Sequence, residues 1–141
     1  MKGVYACLAA FALVLAHGCK SKPTLVGSWS GNIQVMGAAV DLNFEFFKDG
    51  KLSVKQTAMG QTSTQKGDYK AEEKSFSFKP TSVDSPSLSK EASEKLNGQI
   101  KSHNKTVVFT LEWKDGDTIN VTQQGAPAPL NTAITLKRMT S

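Results

Sequence analysis

Cysteine is almost missing from this chain, and its two copies, Cys7 and Cys19, both stand near the N-terminal end. No disulfide framework is available to the remainder, so a fold there must be held by an apolar core. Histidine is as scarce: past His17 only His103 remains, in a Ser-His-Asn-Lys stretch that reads as a loop. A single imidazole with no accompanying thiol leaves little for nucleophilic catalysis, and transition-metal sites need several converging His, Cys or carboxylate ligands. No glycine-rich phosphate loop is present. Asp115 and Asp117 flank a turn glycine but lack the spaced oxygens of a calcium loop, and Glu72-Glu73 reads as a solvated turn. Basic residues outnumber acidic ones, 17 to 12, yet they are spread evenly, without the clustered stripe of a nucleic-acid binder. The expectation is a protein that is not an enzyme, with no cofactor, no metal and no nucleic-acid partner.

Long apolar runs are missing too. The best, residues 4–16, falls short of the roughly 20 residues that span a bilayer. It follows a Met-Lys-Gly start and precedes small residues, the layout of a secretory signal. The run ends Leu15-Ala16-His17-Gly18-Cys19, which resembles a bacterial lipoprotein lipobox. That resemblance implies cleavage before Cys19, whose thiol carries diacylglycerol and becomes the new N-terminus. Gly18 suits the position before the cut, while His17 departs from the small or apolar residue usual there. The alternative is an ordinary secretion signal with an incidental cysteine. The expected organisation is a signal at 1–18, a lipidated N-terminus and tether at 19–24, and one domain at 25–141. The expected location is the cell envelope, on the outer membrane or the outer face of the cytoplasmic membrane, and a monomer is assumed. Lys20 and Lys22 would add weak attraction to an anionic surface beside the anchor.

The domain opens with Leu25-Val-Gly-Ser-Trp29 and continues to Val35 with a period of two. Leu25, Gly27, Trp29, Gly31, Ile33 and Val35 share one face, and Ser28, Ser30, Asn32 and Gln34 the other. Val40, Leu42, Phe44 and Phe46 repeat the pattern, followed by Leu52 and Val54 after Asp49-Gly50, the strongest hairpin signal in the chain. Met59-Gly60 predicts a further turn. The next strand, 61–71, is polar at first, and Gln56, Ala58, Thr62 and Thr64 read as a small, polar lining near this junction. A short strand at 75–79 points Phe76 and Phe78 inward, and 80–86 reads as a loop. Residues 87–97 have helical composition, with Leu88, Ala92 and Leu96 on one stripe, Ser85-Pro86 at the start and Asn97-Gly98 as the stop. A hairpin at Asn97-Gly98 is the competing reading. Val107, Phe109, Leu111 and Trp113 form another inward row, then come an Asp115-Gly116 turn, a strand with Ile119 and Val121, a loop at 124–129, and a last strand at 131–139. About eight strands joined by short turns predict an antiparallel up-and-down barrel, with one short helix ahead of the last three strands. A β-sandwich is the alternative fold.

The Gly27-Ser-Trp29 opening resembles the Gly-x-Trp start of lipocalins and related calycin barrels. The resemblance implies that Trp29 closes one end of a barrel with a late arginine over its ring, here Arg138, and that Gly27, Trp29 and Arg138 form a structural closure. The lipocalin helix usually follows the last strand, whereas here the helical stretch interrupts the middle, so the expected relationship is lipocalin-like. Phe44, Phe46, Tyr69, Phe76, Phe78, Phe109 and Trp113 all project inward on this reading and are the candidate ligand-binding residues. A barrel of this size is either filled or just wide enough for one small ligand. The leading expectation is a membrane-anchored module that holds a small hydrophobic or amphipathic ligand, with the helix as lid or outer cover. The alternative is an envelope interaction protein with a filled core.

Overall fold

The computed structural model describes residues 23–103, 105–126 and 131–140. The expected signal, Cys19 and the expected tether before Pro23 lie outside them, as do residues 127–130 of the last loop. Eight antiparallel strands close into a barrel in chain order: β1 (Gly27–Val35), β2 (Ala38–Phe46), β3 (Lys51–Ala58), β4 (Gln61–Ala71), β5 (Ser75–Asp84), β6 (Val107–Asp115), β7 (Thr118–Gln123) and β8 (Ile134–Arg138), with β8 returning to β1. One helix, α1 (Lys90–His103), is inserted between β5 and β6. The closed sheet leaves no place for the sandwich alternative.

Alternation drives this arrangement. Leu42, Phe44 and Phe46 of β2, Leu52 and Val54 of β3, and Phe76 and Phe78 of β5 are buried, while most of their odd-numbered or even-numbered neighbours face water. A strand with one apolar face can bury it only by curling around a common interior, and full closure also removes exposed sheet edges. The core is wholly apolar: among the described residues no buried polar or charged side chain occurs.

The turns differ between the two ends of the barrel. At one end the chain reverses through Asp49-Gly50 and Asp115-Gly116, where aspartate side chains accept from the amides of Lys51 (3.1 Å) and Asp117 (2.8 Å). At the other end it reverses through Met36-Gly37 and Met59-Gly60, with positive φ at all four residues, the signature of two-residue hairpin turns whose twist suits the strands. Met36 and Met59 are 98% and 89% exposed, so no packing holds them there.

Three boundaries depart from the sequence reading. β5 continues through Pro80 to Asp84 where a loop was expected. Pro80 is opposite Gly67, where the β4 register shifts, and β5 pairs with β6 only from Ser75 to Phe78. A proline is tolerated at a bulge beside a free edge, where its missing N–H breaks no ladder. The helix starts later and runs further than 87–97. Its N-cap is Ser89, whose hydroxyl accepts from the Ala92 amide at 3.2 Å, not Ser85, and it passes Gly98 to His103. Leu96 and Ile100, half-buried on one stripe, outweigh the glycine. The last strand is shorter than expected, Ile134–Arg138.

The helix contributes one contact of special geometry. Asn97 accepts from the Val83 amide at 2.7 Å and donates its own amide to the Val83 carbonyl at 3.1 Å. A single side chain thus stands in for the strand that β5 lacks beyond Phe78. The helix is an outer cover on that edge.

Candidate ligand site

The barrel has a floor and a chamber. The floor is at the Asp-Gly end, where Trp29 is fully buried and its indole N–H donates to the Leu25 carbonyl at 2.8 Å. Arg138 lies over the indole, its guanidinium carbon 4.3 Å from the ring centroid. The same guanidinium donates to the carbonyls of Thr24 (2.7 Å), Val26 (2.9 Å) and Gly116 (3.2 Å) and pairs with Asp117 at 3.2 Å. Gly27 makes this possible: φ is +125°, and a Cβ there would stand 3.1 Å from the Arg138 Nη1. Trp113 meets Trp29 edge-on at 5.9 Å.

Above the floor, the aromatics form a continuous stack. Phe46 takes Tyr69 and Phe76 edge-on at 5.0 and 5.2 Å, Phe76 stacks on Phe109 at 4.7 Å, and Phe109 meets Phe44 at 6.5 Å. Such pairs prefer these edge and offset geometries, and they fill the lower barrel. Tyr69 donates its hydroxyl to the Phe47 carbonyl at 2.9 Å. Burial, and then the charge of Asp49, raise its pKa above the ordinary 10.0. Nearby at the same end, the hydrogen bond to Asp68 raises the Lys51 pKa, and on β6 the bond from Lys114 holds Glu112 below the usual carboxylate range.

Toward the Met-Gly end the stack stops and a cavity of about 700 Å3 opens. Phe44, Phe78 and Phe109 form its base, and Ile33, Val40, Leu42, Val107 and Ile134 much of its wall. Of the seven aromatics proposed from sequence, these three line the cavity. Phe46 and Phe76 are packed beneath it, while Tyr69 and Trp113 sit lower still against the floor. The helix supplies none of the lining, although Ser85 and Ser87, which precede it, do.

Polar lining is concentrated on β3 and β4, with one register correction. The Met59-Gly60 turn pairs Ala58 with Gln61, Gln56 with Ser63 and Val54 with Gln65. Gln61, Ser63 and Gln65 therefore share the inner face; Thr62 also borders the cavity near the turn while its hydroxyl pairs with that of Thr57 at 3.0 Å, and Thr64 is not part of the lining. A strand so poor in apolar residues does not announce its own face. Counting across the two-residue turn does, because paired residues point the same way.

Among the described residues, no charged side chain lines the cavity. The two hairpins on its rim are uncharged as well: residues 32–40 and 56–65 contain no Asp, Glu, Lys or Arg, while the β5–β6 connection at the same end carries Asp84 and Lys105 and the floor turns carry Lys48, Asp49, Glu72, Glu73, Lys74, Asp115 and Asp117. Among the described residues no three His, Cys, Asp or Glu side chains converge as a metal site would need, and no helix is long and apolar enough to cross a membrane. His103 ends the helix, its Nδ1 2.9 Å from the Gln99 carbonyl, and is not part of the cavity lining. No family model matches the chain, and no curated protein matches it.

Proposed function

We propose that this protein is an extracytoplasmic, lipid-anchored carrier of lipocalin-like build, tethered through Cys19, which holds one small hydrophobic or amphipathic molecule in the upper barrel. The observation that carries this reading is the cavity itself. About 700 Å3 of mostly apolar, uncharged space, open at one end of a rigid barrel, falls within the range of small-molecule sites, which are concave, largely preformed and lined by apolar groups with a few polar ones. An interaction protein has no use for such a space; a filled interior would leave its upper half as packed as the Phe46–Phe76 layer. The absence of a convergent acid, base or nucleophile around the chamber favours holding over reacting.

Native mass spectrometry of the protein purified from its own host tests this. A retained mass in the lipid range, lost on organic extraction, is expected, together with uptake of a hydrophobic dye by the extracted protein. Ligand-free protein that also takes up no dye would refute the carrier reading. Lipidation is checked separately, by the mass of the N-terminal peptide at Cys19.

A further inference from the structure

We infer that the ligand this cavity takes is an uncharged amphiphile, with a hydroxyl- or amide-bearing head, and that the chamber selects against fatty acids and other ionised amphiphiles. The inference rests on the carrier reading above and narrows it to a chemical class.

The walls of the chamber are chemically divided. One side, built by β3 and β4, presents Gln56, Gln61, Ser63 and Gln65. The side formed by β1, β6 and β8 is apolar, with Ile33, Val107, Phe109 and Ile134, and β7 adds Gln123 near the rim. A primary amide offers one carbonyl acceptor and two N–H donors, and a serine hydroxyl serves in both roles. The polar wall can therefore satisfy a neutral head that both gives and takes hydrogen bonds, while the tail lies against the aromatic base.

An ion fares differently. A carboxylate or ammonium drawn out of water needs a paired countercharge, or the desolvation is uncompensated. The cavity supplies neither sign, and the rim segments at 32–40 and 56–65 are also uncharged. The charged residues that flank the lining at this end, Asp84 next to Ser85 and Lys105 two before Val107, are exposed, of opposite sign, and outside the chamber lining. Glutamines do not substitute for a lysine or arginine here, because amide donors lack the charge that offsets the lost hydration.

Displacement of the neutral dye N-phenyl-1-naphthylamine from the full chain, at submicellar competitor concentrations near pH 8, tests the inference. The three competitors share a twelve-carbon tail: monolaurin, laurate and dodecylamine. Monolaurin is expected to displace the dye at concentrations at least about tenfold below either ion. Gln65→Lys, half-way down the polar wall, is expected to strengthen laurate and weaken dodecylamine. Gln56→Lys does the same from the more exposed end, where a lysine stays solvated and folding is not at issue. Laurate or dodecylamine competing as well as monolaurin would overturn the inference while leaving the carrier reading intact. So would lysine variants that bind the dye but leave the order of competitors unchanged. Failure to take up the dye at all would overturn both.

Discussion

Arg138→Ala removes a group that ties three segments together, so its cost can be built up from the structure. The guanidinium over Trp29 contributes on the order of 0.5–2 kcal/mol. The bond to the Val26 carbonyl, part-buried at 2.9 Å, is charge-assisted and contributes about 1.5–3 kcal/mol. The bonds to Thr24, Gly116 and Asp117 are exposed; their acceptors return to water once released, so they add little. The loss comes to roughly 2–5 kcal/mol. At about 4 °C per kcal/mol for a domain of this size, the melting temperature falls by roughly 8–20 °C. Arg138→Lys keeps the charge but loses the planar fork that reaches several carbonyls at once, and it should fall between the two. Tryptophan emission is the natural readout, because Trp29 and Trp113 both sit at the floor. A melting temperature unchanged by Arg138→Ala would refute the idea that this residue closes the barrel.

Asn97→Ala should cost about 1–2 kcal/mol by leaving the Val83 N–H and C=O without partners; hydrogen exchange at the Val83 amide should quicken selectively, and equal protection in both proteins would count against the strand-substitute role. Met36→Asn and Met59→Asn should each stabilise by roughly 0.5–1 kcal/mol, since asparagine tolerates positive φ better than methionine; a lower urea midpoint would contradict this. Raised above 10.0 in the folded state, Tyr69 contributes stability that is complete below pH 10 and lost as the pH climbs through its folded value. Phenolate absorbance should therefore show one tyrosine ionising late, and Tyr69→Phe should flatten the alkaline fall in stability; identical alkaline profiles would remove that link.

How much of this was legible beforehand depends on what each residue depends upon. The rows Val40–Phe46 and Val107–Trp113 declare their inner face through large apolar side chains at every second place, and they stand in the barrel as read. Trp29 and Arg138, far apart in the chain, occupy paired positions on β1 and β8. The run 80–84 was hidden because proline and serine look like loop, and only a sheet with a free edge at that point accommodates them. Asn97-Gly98 looked like a helix stop, yet the asparagine is occupied by Val83, a tertiary contact with no local sequence signal. The glutamine wall was recoverable by carrying the face of Ala58 across its turn to Gln61. Whether the large rings would fill the barrel was not recoverable, since it depends on how low in the stack they settle.

The clasp formed by Arg138 also fixes where the chain leaves the barrel. Thr24 departs at the sealed pole, opposite Met36 and Met59. Cys19 stands five residues earlier, within a reach of about 18 Å, whereas strands of nine residues tilted as in small barrels rise roughly 23 Å. With Cys19 acylated as proposed, the leash is shorter than the body it holds. On the proposed anchoring, the molecule would stand on its base like a cup, and a ligand would enter and leave on the side turned away from the bilayer.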